Sequence, residues 1–230
     1  MRDILNENLK VDNEVIKPNF NQAEYTYQKK LAIQNEIKKP FYPAKRLFDI
    51  IMSVFLLYFT FPIIVFFSIL IVLDSFGNPL YKQVRVGKMG KNITIYKLRS
   101  MYNNAEANGM KWASKDDPRI TKIGKFIRKT RIDELPQLIN VLKGEMSFIG
   151  PRPERPDFVE LFSTEIPRFE QRCLVTPGLT GLAQVQGGYD LSPKEKLEYD
   201  LKYINKGNIK MELMILIKTT MVIFTGSGSR

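Results

Sequence analysis

One apolar segment limits what this chain can fold into more than any other feature. It runs from Leu47 to Leu73, 27 residues in which Asp49 carries the only charge. This length exceeds the roughly 20 apolar residues that a helix needs to span a bilayer. About 45 polar residues come first, so the segment is not predicted to be a cleaved secretory signal. The sequence therefore predicts a helix that is inserted into a membrane.

The same segment is not typical of a simple span. Pro62 lies near its middle, where it removes a backbone hydrogen bond and kinks a helix. Basic residues lie beyond both ends, and positively charged loops tend to stay in the cytoplasm. They are Lys38, Lys39, Lys45 and Arg46 before the segment and Lys82, Arg85, Lys88 and Lys91 after it. A re-entrant helix broken at Thr60, Phe61 and Pro62 would explain both features, and a kinked transmembrane helix is the alternative.

The amino-acid composition limits the partners and the catalytic groups that this protein can use. The chain has 35 Lys and Arg against 24 Asp and Glu, so its net charge of +11 favours an anionic partner: nucleic acid, acidic membrane or phosphorylated substrate. Histidine is absent and Cys173 is the one cysteine, which excludes histidine bases, thiolate metal cages and internal disulfides. Without a histidine to activate it, Cys173 is predicted to be a buried spectator. Any metal would have oxygen ligands, which indicates Mg²⁺ or Mn²⁺.

Beyond the membrane segment the pattern is mainly α with a small β-hairpin, an α+β fold. The hairpin is predicted from Leu80–Val86 and Ile93–Leu98, with glycines between them. Helices are predicted at Ile120–Thr130, Glu195–Tyr203 and Met211–Phe224. The first is basic and amphipathic and the last is apolar, so both are expected at the membrane surface. For the first of them, a helix packed on a soluble core is the alternative.

A further helix is predicted from Arg131 to Gly144, because apolar residues recur on one face and a proline is tolerated only in a first turn. This places Asp133 and Glu134 at the start of the helix. Asp133 could simply cap the helix, a role that aspartate fills well. It could also be a nucleophile towards a phosphoanhydride, held ionised by the helix dipole and by Arg131 and Arg128. Glu134 would then share a divalent metal or handle protons.

Three further places are candidates for binding anions or substrate. Arg46, with Lys45, precedes the membrane segment and could bind a lipid phosphate, or else pair with Asp49. In Gly150–Glu154, two prolines hold Arg152 in one direction, which suits an anion site but also a stiff surface turn. The glycine-containing loop 176–181 allows close approach of a ligand, although turn chemistry explains it equally well. It leads into Ala183–Gln186, which is predicted to be a short strand.

Together these pieces resemble the bacterial sugar transferase family, the monotopic phosphoglycosyl transferases in their short form, from about Lys45 to Phe224. Seven ordered motifs carry the resemblance. They are Lys45-Arg46 with Asp49, Lys82–Gly87, Tyr96–Met101, Asp117–Thr121, Asp133–Gln137, Gly150–Glu154 and Pro177–Gly181. Any one of them is weak evidence, but the set in this order is specific.

The resemblance implies an enzyme at the cytoplasmic face of the inner (plasma) membrane. It implies a re-entrant helix broken at a proline, a UDP-sugar donor, an undecaprenyl phosphate acceptor and Mg²⁺, with Mn²⁺ as a substitute. In the implied mechanism Asp133 attacks the phosphate that bears the sugar, UMP leaves, and the lipid phosphate then takes the phosphosugar. Glu134 would match the metal-associated carboxylate and Arg152 a phosphate-contacting arginine.

The resemblance also implies where substrate and metal bind. The expected metal ligands are Asp133 and Glu134. The expected substrate-binding residues are Lys45, Arg46, Arg85, Arg99, Arg131, Pro151, Arg152, Pro153, Gly178, Thr180 and Gln184. One departure concerns the helix break, where Phe61 replaces the serine that commonly precedes the proline, so Thr60 is the nearest hydroxyl that could substitute.

Three regions follow: a polar N-terminal arm over 1–40, the re-entrant helix-break-helix over 41–74, and a cytosolic catalytic domain with interfacial helices over 75–230. Two other functions remain open. A non-catalytic scaffold that binds anionic lipid would explain the charge and the apolar segment but not Asp133 with Glu134. A nucleic-acid-binding protein is disfavoured by the apolar segment and by the lack of a recognisable binding motif. The sequence leaves open whether the chain forms a homo-oligomer.

Overall fold

The computed structural model describes residues 42–106 and 117–225. The predicted N-terminal arm over 1–40 lies outside these residues. The apolar segment forms one helix, α1 (Tyr42–Asp74), and its helical backbone continues through Thr60, Phe61 and Pro62. Within the described residues, α1 is the single helix long and apolar enough to cross a membrane. The predicted helix is therefore confirmed, and its two halves are continuous in secondary structure.

Both ends of α1 are bonded to the same domain. Near its start, the buried Asp49 carboxylate accepts hydrogen bonds from the Ser147 hydroxyl at 3.1 Å and the Phe148 backbone N–H at 3.0 Å. At its end, Asp74 accepts a hydrogen bond from the Ile123 N–H at 2.9 Å. A helix attached to one domain at both ends is consistent with a re-entrant arrangement. The neutral donors also correct the expected pairing of Asp49 with Lys45 and Arg46.

Apolar side chains remain exposed on α1 and on the last helix, α7 (Ile209–Thr225). On α7 they recur every four residues and so form one stripe: Ile209, Leu213, Ile217 and Met221. Along the middle of α1 they include Phe55, Tyr58, Phe59, Phe61 and Phe66. Contiguous exposed apolar surface of this kind favours contact with lipid. The predicted surface location of α7 fits this stripe.

The predicted hairpin is confirmed: β1 (Leu80–Val86) and β2 (Asn92–Leu98) are antiparallel, with Leu80 opposite Leu98. A second sheet pairs β3 (Ser147–Ile149) with β4 (Gly178–Thr180) in parallel. Gly150, directly after β3, and Gly178 of β4 bring the two backbone segments into close contact. A Cβ atom on Gly178 would overlap the Gly150 backbone nitrogen. The absence of a side chain at Gly178, a predicted substrate-binding residue, thus allows another backbone segment to approach it.

Five further α-helices of the described chain lie between the hairpin and α7 in chain order. They are α2 (Lys122–Lys129), α3 (Leu138–Lys143), α4 (Pro156–Glu165), α5 (Leu182–Gln186) and α6 (Pro193–Lys206), followed by α7. Helices of the 3₁₀ type occupy Lys88–Gly90, Ile132–Gln137, Phe169–Leu174 and Gly188–Asp190. The predicted helices at 120–130, 195–203 and 211–224 are thus confirmed.

Two local predictions are wrong. The stretch from Arg131 to Gly144 is divided into the 3₁₀ helix Ile132–Gln137 and α3, since Pro136 cannot donate the backbone bond that a continuous α-helix would need there. The residues 183–186 are helical, in α5, and not a strand. Val185 packs against the main core, in which the preceding Leu182 is buried, so tertiary packing outweighs the local β-propensity.

The main core joins α1 and α7 to the rest of the described chain. Its buried side chains include Ile95, Leu138, Val141 and Ile215, which come from β2, α3 and α7. Met52, Leu56 and Leu57 of α1 and Met214 of α7 pack against this cluster. At the other end of α1, Ile71 packs with Leu98 and Ile127 in a smaller cluster. The domain is therefore built directly onto both membrane-facing helices.

Candidate active site

A cavity of about 370 Å³ lies between α1, the hairpin, the 3₁₀ helix Ile132–Gln137 and α5 to α7. One part of its wall is basic: Arg85, Lys97, Arg131, Arg152, Arg172 and Lys196. Another part is apolar and includes side chains of the membrane helices: Leu56, Leu135, Leu138, Phe148, Leu179, Leu216 and Val222. The cavity can therefore hold a molecule with an anionic end and an apolar end.

Glu134 lies in the basic wall and is already paired. Its carboxylate accepts hydrogen bonds from the Arg152 guanidinium, and its Oε1 lies 3.3 Å from Lys97 Nζ and 4.0 Å from Arg131 Nη1. Burial alone would raise the pKa of Glu134, but Arg152 and Lys97 outweigh it and hold the pKa well below its usual range. Glu134 therefore stays ionised and holds the three cations at the cavity wall.

Asp133 is in a different environment although it is the next residue. It is 7% exposed, and among the described residues none donates a hydrogen bond to its carboxylate. Burial and the charge of Glu134 raise the pKa of Asp133 to about 6, against the opposing influence of Lys97, Arg128 and Arg131. At neutral pH most molecules then carry an ionised Asp133. An ionised carboxylate without donors is a better nucleophile than one that donors stabilise.

Local structure presents these two carboxylates. Arg131 precedes the 3₁₀ helix in a left-handed conformation with φ of 60°, and its carbonyl accepts a hydrogen bond from the Glu134 N–H at 3.1 Å. Ile132 packs against the cluster of Ile71, Leu98 and Ile127, which anchors the start of the helix. Asp133 is thus in the first turn, as predicted, but the residue that precedes the helix is Arg131, so Asp133 is not its cap.

The loop from Gly150 to Glu154 is held on both sides. Its Glu154 carbonyl accepts from the Val86 N–H of β1 at 2.8 Å, and its Pro151 carbonyl accepts from the Gly178 N–H of β4 at 2.9 Å. Arg85 donates to the Pro153 carbonyl at 3.1 Å. Backbone hydrogen bonds on both sides thus hold the segment that contains Pro151 and Pro153, which is consistent with their predicted role as a rigid support. They support Arg152, whose guanidinium lines the cavity and reaches Glu134.

A buried ion cluster lies behind this loop, and the sequence did not suggest it. Arg172 is 4% exposed and lies 2.8 Å from the Asp200 carboxylate and 3.7 Å from Glu154. Its guanidinium also donates to the Arg152 carbonyl at 3.1 Å and lies 5.0 Å from the ring of Phe169. Asp200 is the residue that could have indicated this cluster in the sequence. It follows the buried Leu197 by three residues and so lies on the apolar face of α6.

Six predicted site residues line the cavity. Five were predicted to bind substrate, namely Arg85, Arg131, Arg152, Thr180 and Gln184, and the sixth is the predicted catalytic Glu134. The predicted nucleophile Asp133 is the next residue to Glu134 but is not among the lining residues. Thr180 shares a hydrogen bond of 2.7 Å with Thr219 of α7, which sequence analysis did not single out. Lys97 and Lys196 were also missed, because lysines on a hairpin or an amphipathic helix usually face solvent. Cys173 is buried, as predicted.

Three predicted phosphate-binding cations have other partners. Arg46 donates to the carbonyls of Val141 and Leu142 at 2.6 and 2.7 Å, in the last turn of α3, where carbonyls lack the N–H partner four residues on. Lys45 is paired with Glu212 of α7 at 2.7 Å. Arg99 is 6% exposed and donates to the carbonyls of Ser75 and Phe76 beyond the end of α1. They attach helices to the domain, and none of the three lines the cavity.

The oxygens that suit a divalent cation are those of Asp133, because Arg152 already donates to both oxygens of Glu134. Asp133 offers oxygens that receive no hydrogen bond from the described residues, and its repulsion with Glu134 would be relieved by a cation beside both. Within the described parts of the chain, no group of three or more acidic or thiol side chains forms a complete cage. Mg²⁺ commonly needs only one or two carboxylates, because substrate phosphates and waters supply the rest.

Comparisons with known proteins show which proteins the chain resembles. The model of the family described as bacterial sugar transferase matches residues 41–226. The chain is 44% identical over 189 residues to the UDP-N-acetylgalactosamine-undecaprenyl-phosphate N-acetylgalactosaminephosphotransferase of Aeromonas hydrophila, covering 81% of this chain and 45% of that protein. It is 36% identical over 215 residues to the undecaprenyl-phosphate galactose phosphotransferase of Salmonella typhimurium, covering 86% of this chain and 44% of that protein.

A shorter relative is a Bacillus subtilis protein provisionally named undecaprenyl-phosphate N-acetylgalactosaminyl 1-phosphate transferase. It is 59% identical over 128 residues, which cover 56% of this chain and 72% of that protein. The chain thus spans less than half the length of the Aeromonas and Salmonella relatives, and most of the Bacillus one.

Proposed function

The chain belongs to the bacterial sugar transferase family, and from this premise we propose that it transfers a sugar 1-phosphate from a UDP-sugar to undecaprenyl phosphate. The products are undecaprenyl-diphosphate-sugar and UMP. The reaction takes place at the cytoplasmic face of the plasma membrane. A lipid-linked sugar of this kind is suited to be the starting unit of a capsule, an exopolysaccharide or another glycoconjugate.

One observation carries this proposal: the same cavity has a basic wall and an apolar wall to which α1 and α7 contribute. Six cations line one side. Arg172 is balanced by the buried Asp200, and the other five exceed the two lining carboxylates, Glu134 and Glu154, by three charges. Such an excess suits the diphosphate of the donor and the phosphate of the acceptor. Leu56 and Thr60 of α1 and Leu216 of α7 line the same cavity. An isoprenoid chain can therefore lie against the membrane helices while its phosphate reaches the cations.

In the proposed first step, an Asp133 carboxylate oxygen attacks the phosphorus that bears the sugar. A new O–P bond forms, the bond from that phosphorus to the UMP oxygen breaks, and UMP leaves with the electron pair. Arg152, Lys97 and Arg131 are placed by Glu134 to bind the phosphate oxygens. In the second step an oxygen of the lipid phosphate attacks the same phosphorus, and the bond to Asp133 breaks to restore the carboxylate.

We propose that Mg²⁺ accompanies the donor and is held by Glu134 and Asp133, with Mn²⁺ as a substitute. The ion would supply positive charge to the diphosphate and so assist the departure of UMP. Glu134 would have to share its oxygens between the ion and the cations that it now contacts. The chain's own contribution is to keep Glu134 ionised in the cavity wall and to hold Asp133, the next residue, buried with its pKa raised to about 6.

The function is tested by UMP release from the detergent-purified full chain, given Mg²⁺, undecaprenyl phosphate and one UDP-sugar at a time. UDP-N-acetylgalactosamine comes first, because the Aeromonas relative is named for it. We expect release with at least one donor, and loss of release when a chelator removes the metal. A folded, lipid-bound protein that releases UMP from none of the donors would contradict the proposal and favour a lipid-binding scaffold.

Replacing Arg152 by alanine should raise the KM for the UDP-sugar by about 10- to 100-fold, since a charge-assisted bond to phosphate is lost. The melting temperature should change little, because the loop is held by backbone bonds on both sides. Steady-state kinetics and thermal unfolding check the two parts. Arg155→Ala is the matched control, since Arg155 pairs with Glu106 and does not line the cavity. A collapse of stability in Arg152→Ala would instead show that Arg152 only stiffens the turn.

A further inference from the structure

Gln184 has a buried side-chain amide that no described residue satisfies. Its Nε2 and its Oε1 are both shielded from solvent, and neither has a hydrogen-bond partner within residues 42–106 and 117–225. A buried amide that makes no hydrogen bonds is unfavourable, and most such groups in folded proteins are paired. An unpaired amide beside a functional cavity therefore indicates a partner that arrives with the ligand.

The amide lies beside the phosphate-binding cations. Gln184 lines the cavity from α5, and a Cβ atom at Gly181 would lie 2.8 Å from Gln184 Oε1, so the amide rests against the loop before the helix. Two residues before Gly181, the Leu179 carbonyl accepts a bond of 3.4 Å from Arg152. One short loop thus connects the guanidinium that faces a phosphate with the amide. If a phosphate binds at Arg152, we expect a group attached to it to lie near Gln184.

The neutral polar groups of the cavity wall differ in their availability. Among the described lining residues these groups belong to Thr60, Thr180, Gln184 and Thr219. Thr60 donates to the Leu56 carbonyl, and Thr180 and Thr219 bond to each other. The amide of Gln184 is therefore the one neutral group in the described wall that still lacks a partner. It offers both a donor and an acceptor, which matches a sugar hydroxyl or an acetamido group.

We propose, building on the proposed function, that Gln184 binds the sugar of the nucleotide-sugar donor and determines which sugar is transferred. Nε2 donates to an oxygen of a ring substituent, and Oε1 accepts from its O–H or N–H. A site with a buried hydrogen-bonding group discriminates strongly, because a sugar without the matching group leaves the amide unpaired. The cations bind the phosphates that all donors share, so they do not distinguish one sugar from another.

The test replaces Gln184 by methionine, which has similar length but forms no comparable hydrogen bonds. The control is Gln186→Met, the same change on the exposed side of the same helix. The measurement is kcat/KM for UMP release by the full chain with UDP-N-acetylgalactosamine, UDP-galactose, UDP-N-acetylglucosamine and UDP-glucose. We expect the preferred donor to lose about 10- to 100-fold relative to the others in Gln184→Met, and no loss of selectivity in the control.

Thermal unfolding without substrate gives a second readout. Because the substitution removes an unpaired buried amide, the melting temperature of Gln184→Met should equal or exceed that of the wild type. A lower melting temperature would show that the amide has a structural partner, and would overturn the inference. A second variant, Gln184→Glu, keeps the acceptor and removes the donor, and should also lose selectivity.

Other outcomes separate this inference from the proposed function. An equal loss with all four donors would show that Gln184 acts on the shared nucleotide or phosphates, and unchanged selectivity would show that it does not touch the sugar. Either result overturns the inference while the wild type still establishes the transferase. A wild type that releases UMP from no donor would overturn the proposed function together with this inference.

Discussion

Replacing Asp133 by asparagine should lower UMP release at least about 1000-fold, because an amide cannot form the bond to phosphorus. The variant should also fail to accumulate a sugar-phosphate adduct when labelled donor is added without lipid acceptor. The fold should not be weakened. Burial and Glu134 raise the pKa of Asp133 to about 6, above its usual value, so the ionised carboxylate disfavours the folded state at pH 7. A neutral asparagine removes that cost.

The measurements are UMP release, intact-protein mass spectrometry and thermal unfolding. Asp157→Asn is the matched control, since it makes the same change in a carboxylate that also lies in the first turn of a helix, α4, away from Glu134. It should keep wild-type turnover. Turnover by Asp133→Asn at more than about a tenth of the wild-type rate would end the covalent scheme. An inactive variant with a strongly lowered melting temperature would assign Asp133 a structural role instead.

Replacing Arg172 by leucine should destabilise the protein by about 3 to 5 kcal/mol, the usual cost of removing one partner from a buried ion pair. Asp200 is 1% exposed and would lose the cation that lies 2.8 Å away. Burial raises the pKa of Asp200 to about 6, and Arg172 opposes that rise. Without Arg172 the carboxyl should bind a proton near neutral pH, which limits the cost. Thermal unfolding in detergent should show a drop of about 6 to 20 °C.

A double variant makes this prediction specific to the pair. Arg172→Leu with Asp200→Leu should be more stable than Arg172→Leu alone, because no unpaired buried charge remains on α6. Arg168→Leu is the control, four residues earlier and exposed, and should change stability by less than about 0.5 kcal/mol. If the losses of the two single variants simply add in the double variant, Arg172 and Asp200 do not interact energetically.

The elements that could be predicted from the sequence are those determined by residues close together in the chain. A long apolar run specifies α1 whatever surrounds it, because lipid and not a distant core segment receives its side chains. The hairpin of β1 and β2 follows from two β-prone stretches joined by a short turn with Gly87 and Gly90. The sequence predicted that Pro136 lies in a first helical turn, because proline limits a helix locally. It did not predict that α3 begins only after a 3₁₀ helix, because packing decides that position.

The roles of individual cations could not be predicted in the same way. Arg46, Arg99 and Arg152 all lie in motifs that suggest phosphate binding. Only the folded chain shows that Arg46 and Arg99 bind carbonyls at helix ends, whereas Arg152 faces the cavity. A guanidinium has the same donors in each place. Its partner depends on which residues from 18 to 96 positions away arrive beside it.

Asp133 and Glu134 also differ in what the sequence and the folded structure each determine about them. The sequence by itself determined that Asp133 and Glu134 are adjacent, follow a basic stretch and stand before Pro136. Only the tertiary structure decided that they differ, because Lys97 on β2 and Arg152 in the loop bind Glu134 and leave Asp133 without donors among the described residues. Their pKa values move in opposite directions for that reason. Charge pairing between distant segments depends on distances that a linear pattern does not contain.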